Sequence, residues 1–175
     1  MVGPLRKAPG GFTHLLVAID KFTKWIEAKP ITTIDSKEAV KFFLDIVYRF
    51  GVPNFIITDN GTIFAGHYFK EFAEGYGRIR IDWASVGHPR TNRQVEIANG
   101  LILQGLKPRI FDMLKKFAGR WVEELPAVLW SLRTTPNRLT GLTPFFLTYG
   151  SKAVLPSDLD YGAPIVKAFN PEMAA

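Results

Sequence analysis

Residues 54–58 form a short apolar run held between Pro53 and Asp59-Asn60-Gly61, and no other stretch limits the possible folds as strongly. Proline removes a ladder donor at one end. Asp-Asn-Gly favours a tight turn at the other, so the run reads as a central strand that stops at Asp59. Helix-period segments flank it. Asp35 and Glu38 have capping-box spacing, and Val40, Phe43, Leu44 and Val47 then recur at helical intervals. That pattern predicts a helix over 36–50, ended by Gly51 and Pro53. Residues 66–75 predict a second helix with Phe69 and Phe72 facing inward. Ile79, Ile81 and Trp83 alternate with Arg80 and Asp82, predicting a half-exposed strand over 78–86.

Ahead of this unit, 12–19 and 22–31 read as two strands joined by a short hairpin, with Pro30 marking an edge or an end. Residues 1–11 read as an irregular Pro- and Gly-rich arm. After the unit, Thr91 and Gln94 repeat the capping-box spacing, and Val95, Ala98, Ile102 and Leu106 form a helical stripe from Asn92 onward. Pro108 is expected to kink or break that helix. A further helix is predicted over 120–133, and a short one after Thr143 with Pro144 at its first position. Strands come first, and helices alternate with them and then dominate. The fold class is therefore α/β, a mixed sheet flanked by helices. Residues 1–155 read as one domain and 156–175 as a tail or linker.

The chain of 175 residues has no cysteine, which excludes disulfides and thiol chemistry. Its 22 Lys and Arg against 16 Asp and Glu give a net charge of +6, which favours an anionic partner. Seven of the cations fall between Lys107 and Arg138, where they would steer a polyanion. His14, His67 and His88 are too scattered for a zinc finger. No secretory signal or membrane-length apolar run is present, so an intracellular protein without a membrane partner is expected.

Two carboxylates stand where chemistry is easiest to build. Asp59 follows a strand, which holds it rigidly, and Asn60-Gly61 leaves space around it. Glu96 lies near the start of a helix. Taken singly, Asp59 serves equally well as a turn residue and Glu96 as a solvated first-turn glutamate. Together they suit metal-assisted phosphoryl transfer, in which carboxylates from separate elements hold divalent ions about 3.5–4 Å apart. Magnesium prefers such hard oxygen ligands. Two carboxylates are too few for a two-metal site, so a third is expected. His88, in a loop between Gly87 and Pro89, would contact a phosphate or orient a carboxylate. Asn92, Arg93 and Gln94 at the helix start would donate to DNA phosphates; capping accounts equally well for Gln94.

Several ordered motifs resemble one family. They are Leu16-Val17-Ala18-Ile19-Asp20-Lys21-Phe22-Thr23-Lys24-Trp25, Ile57-Thr58-Asp59-Asn60-Gly61-Thr62-Ile63-Phe64, His88-Pro89-Arg90-Thr91-Asn92-Arg93-Gln94-Val95-Glu96 and Trp130-Ser131-Leu132-Arg133-Thr134-Thr135-Pro136, with Thr143-Pro144-Phe145 and Tyr149-Gly150 after them. The chain resembles the catalytic core of integrases from long-terminal-repeat retrotransposons of the Ty3/gypsy type found in plants. The resemblance implies a ribonuclease-H-like fold, a magnesium- or manganese-bound Asp-Asp-Glu triad, DNA as substrate and partner, possible homodimers, and work in the nucleus. Asp59 matches the second Asp and Glu96 the Glu. The family's first Asp lies immediately upstream of Val2-Gly3-Pro4-Leu5, so the first strand is expected to be truncated here and catalysis impaired. Asp20 matches a different position and is not the missing ligand. Arg93 stands where the family has Gly, and 36 residues separate Asp59 from Glu96, one more than the family's usual interval. Two other readings fit the same residues: a non-catalytic nucleic-acid-binding or dimerisation module, and an incomplete gene model of an active element polyprotein.

Overall fold

The computed structural model describes residues 1–58, 61–76, 79–83, 89–111, 119–138 and 140–160. Strand β1 (His14–Ile19) and strand β2 (Ile26–Ile31) form an antiparallel hairpin in which His14 faces Ile31 and Ile19 faces Ile26. Helix α1 (Ser36–Phe50) leads into β3 (Phe55–Thr58). The short helix α2 (Thr62–Ala65) and α3 (His67–Gly75) follow, and β4 (Arg80–Trp83) lies parallel to β3. Helix α4 (Pro89–Phe111), α5 (Trp121–Thr134), α6 (Pro144–Tyr149) and α7 (Pro156–Asp160) complete the order. The described strands thus form two two-stranded sheets, one antiparallel and one parallel, which together make the mixed arrangement expected.

The sheet layer separates two apolar clusters. Successive strand residues point to opposite faces: Leu15 packs with Ala98, Ile102 and Leu106 of α4 and Leu125 and Val128 of α5, while Leu16 packs with Ala39 and Phe42 of α1 and Phe69 and Phe72 of α3. Ile56 of β3 shares the second cluster with Leu16, so both pairs of strands lie under α1 and α3. The arm is less irregular than its composition suggests. Val2 exchanges backbone hydrogen bonds of 2.9 and 2.8 Å with Leu15 on the edge of β1 away from β2, and Val2 and Ala8 are buried.

Several boundaries move for identifiable reasons. The strand expected from residue 22 begins only at Ile26, because the Asp20 carboxylate captures the chain in a turn: Oδ1 accepts from the Phe22 and Thr23 amides at 3.1 and 2.6 Å and from the Thr23 hydroxyl at 2.8 Å. Asp35 caps α1 by accepting from the Lys37 amide, but Glu38 turns outward to pair with Lys41 at 2.8 Å instead of closing a box. The fully buried face of α1 is Ala39, Phe42 and Val47; Val40, Phe43 and Leu44 flank it half-buried. Helix α4 starts earlier than expected, at Pro89, a residue pre-organised for a first helical turn. Thr91 is therefore inside the helix and not its cap. The expected break at Pro108 does not occur, since α4 runs through it to Phe111. Trp83, at the end of β4, is exposed, whereas Ile79 is buried and Ile81 half-buried.

Two glycines of α4 test the packing. A Cβ built at Gly100 meets nothing within 4 Å, whereas one at Gly105 would lie 2.7 Å from Cγ1 of Val128 on α5. Gly100→Ala should raise stability by about 1 kcal/mol through helix propensity. Gly105→Ala should lower it by about 1–2 kcal/mol, because stiff Val128 must give way. Urea denaturation of the two variants checks the opposite signs, and Val128→Ala should relieve the second.

Candidate metal and nucleic-acid site

The buried stripe Ala98–Ile102–Leu106 fixes the rotation of α4 on β1 and α5. That rotation turns Glu96 and Arg93 outward. Glu96 is exposed, and its carboxylate holds no hydrogen bond or ion pair to another described residue. A carboxylate left free on a well-packed helix is a ready oxygen ligand for a hard cation. Thr58, the last residue of β3, is buried, so the parallel strand pair delivers the chain directly to Asp59. Asp59 and His88 lie outside the described residues, as does the side chain of Asn92. Among the described residues no group of three or more His, Cys, Asp or Glu gathers to hold a metal ion. Carboxylate chemistry fits magnesium or manganese, and Glu96 would be one ligand.

Gln94 has a partner that the capping pattern did not suggest. Its Oε1 accepts from Lys24 Nζ at 3.3 Å, and the same ammonium donates to the Lys21 carbonyl. Lys24 adopts a left-handed backbone, with φ of 61°, where the hairpin loop closes. The tip of the β1–β2 hairpin is thereby tied to the first turns of α4, two residues from Glu96. One turn beyond Glu96, Asn99 holds the single buried side-chain polar atom among the described residues with no partner, its Oδ1.

The largest polar feature lies behind the hairpin. Glu27 Oε1 accepts from Trp25 Nε1 at 2.6 Å and from Arg49 at 2.8 Å, and forms an ion pair with Arg133 at 3.1 Å. Arg133 also donates twice to the Ile26 carbonyl, at 3.1 and 2.8 Å, and its guanidinium stacks 4.3 Å from the Trp25 ring centre. Burial lowers the Arg133 pKa, and the facing Glu27 charge offsets part of that; hydrogen bonding to Glu27 raises that of Arg49. Trp25 further packs edge-on against Phe50 and Tyr149, with ring centres 5.9 and 5.5 Å away. The cluster joins β2 to the ends of α1 and α5 and to α6. Thr143 caps α6 by accepting from the Phe146 amide at 3.0 Å. These residues are structural. Trp25, Arg133 and Tyr149 fall within the motifs that carry the family resemblance, but no local pattern joins Glu27 to them.

Known proteins give this arrangement a context. Over 148 residues the chain is 35% identical to the Gag-Pol polyprotein of avian reticuloendotheliosis virus, covering 83% of this chain and 12% of the relative. It is 32% identical over 167 residues to the Pol polyprotein of radiation murine leukemia virus, covering 94% and 26%. The chain therefore spans a minor part of these relatives. The fold matches the catalytic core domain of HTLV-2 integrase, solved in complex with magnesium, with a TM-score of 0.64 at 24% identity over 77% of this chain and 84% of that one. It also matches a chain of the simian T-cell lymphotropic virus intasome, solved with a regulatory subunit of PP2A, with a TM-score of 0.70 at 23% identity over 87% and 53%. These neighbours share the ribonuclease-H-like architecture, a mixed sheet flanked by helices with a short first strand. The integrase core domain model matches residues 2–89, half of the chain and the part that contains both strand pairs and Asp59, and the chain belongs to that family.

Proposed function

We propose that this chain is the core of a Ty3/gypsy-type retrotransposon integrase, as found in plants, whose ancestral reaction is metal-dependent polynucleotidyl transfer. In that reaction water attacks a phosphodiester near the end of element DNA and releases a 3′ hydroxyl. The hydroxyl oxygen then attacks a target phosphodiester, forming one P–O bond as another breaks and leaves on a target 3′ oxygen. Magnesium or manganese, when bound, would activate the attacking oxygen and stabilise the leaving one. Asp59 and Glu96 are the ligands this chain supplies. The observation that carries the reading is the free Glu96 carboxylate on rigid α4, in a chain of the integrase core family.

The resemblance places a third carboxylate ahead of Val2. With two ligands, less charge holds the ions together, and transition-state stabilisation falls. Strand transfer should therefore need that third carboxylate together with Asp59 and Glu96, and integration of this kind is nuclear. Strand transfer on element-end DNA with manganese, run beside a version extended upstream by a strand segment carrying Asp, tests this. The extended protein should gain activity by several orders of magnitude and lose it on Asp59→Asn or Glu96→Gln. Robust transfer by the unextended chain that survives either substitution would defeat the assignment.

A further inference from the structure

We propose that the β1–β2 turn is a second nucleic-acid contact, in which Phe22 stacks on an unpaired base and Lys21 and Arg93 hold the adjoining phosphates. The proposal rests on the reading of this chain as a DNA-acting protein. Phe22 is 76% exposed, more than any other large apolar residue described. A lone exposed apolar side chain is ordinary; a lone one on a turn this constrained is less so. The Asp20 carboxylate accepts three hydrogen bonds across the turn, and the backbone closes it with Lys24 N to Asp20 O at 3.0 Å and Asp20 N to Trp25 O at 2.9 Å. Lys24 takes a positive φ that lysine disfavours, and it spends its ammonium on Lys21 O and Gln94 instead of on solvent. The outcome of these constraints is a Phe22 ring presented to water at a fixed place beside the first turns of α4.

The charges around it select the partner. Lys21 and Arg93 have no partner for their cationic groups among the described residues, and the nearby Asp20 carboxylate directs its Oδ1 into the turn. An aromatic face flanked by free cations is the pattern that binds single-stranded nucleic acid: stacking accepts any base, and the cations follow the backbone. Lys24 is the anchor, not a phosphate ligand. The site takes a frayed or overhanging DNA end in preference to a closed duplex.

Fluorescence anisotropy with two labelled duplexes, identical except for a short single-stranded overhang on one, tests the contact. The parent chain should prefer the overhang. Phe22→Ala should cut overhang affinity about tenfold while leaving blunt-duplex affinity unchanged. Phe22→Trp should restore the preference. Lys21→Ala should weaken both and lower the salt slope by about 1. Because Phe22 is exposed, its replacement should leave thermal unfolding unchanged, so a lost preference reports binding and not folding. A parent that binds both duplexes with salt dependence and a Phe22→Ala variant that matches it on both overturn the contact while leaving the DNA-binding reading intact. Equal losses on both duplexes overturn base stacking. A parent that binds neither overturns the wider reading and the contact with it.

Discussion

Replacing Glu27 with alanine should lower folding stability by about 3 kcal/mol. One carboxylate oxygen serves two donors and an ion-paired arginine, and each loses differently. Arg49 is 40% exposed, keeps its 2.8 Å pairing with Asp45 and recovers hydration. The Arg133 side chain is only 18% exposed. It retains the Ile26 carbonyl but faces the interior with its charge uncompensated. The Trp25 indole N–H, in a buried ring, loses its described acceptor, at about 1–3 kcal/mol for an unsatisfied donor. Glu27→Gln should cost less, because an amide oxygen still accepts although the charge is gone. Removing both partners in Glu27→Ala/Arg133→Met should cost less than the sum of the singles, since neither variant then strands a charge. Urea unfolding of the four proteins checks this, and near-ultraviolet circular dichroism reports Trp25 directly. A loss below about 1 kcal/mol for Glu27→Ala would show that water replaces the carboxylate.

That network also marks where the sequence stops being informative. Elements with strong local signals were legible. Of the stripe Val95–Ala98–Ile102–Leu106 the last three lie buried and Val95 half-buried, Phe69 and Phe72 face inward, and Thr143-Pro144 starts a helix where a cap followed by proline should. Local rules erred where two of them competed. Asp20 had the choice of ending a strand or nucleating a turn, and the turn removed 22–25 from the expected strand. Gln94 was read as a phosphate donor or a capping-box residue; Pro89 starts the helix early, which removes the box, and the bond to Lys24 lies 70 residues away in the chain. Helix α2 has four residues, too few for any period to register. The joining of Glu27 to Arg49 and Arg133 spans 22 and 106 residues of chain, which no window of local pattern reaches. For the site, Glu96 lies on a helix as expected, though beyond its first turn because Pro89 starts α4 early, while Asp59 and His88 lie outside the described residues.

Trp121→Ala should be the most damaging single change in the apolar core, at about 3–5 kcal/mol. Trp121 is 2% exposed and the largest fully buried side chain described. It opens α5 and fills the cluster shared by Val2, Ala8, Leu15, Leu106 and Leu125, so it is the point at which the arm, β1, α4 and α5 meet. Its indole has a second task, since Nε1 donates to the Arg6 carbonyl at 2.7 Å and holds the arm down. Trp121→Phe separates the two contributions. Phenylalanine keeps most of the apolar contact and loses the donor, so it should cost about 1–2 kcal/mol, and the loss should concentrate in the arm. Amide hydrogen exchange locates it: in Trp121→Phe, faster exchange at Val2, Leu5 and Ala8, with α4 and α5 unchanged, is the expected pattern. Uniform acceleration across α4 and α5 would mean instead that the ring's volume, and not its hydrogen bond, secures the arm.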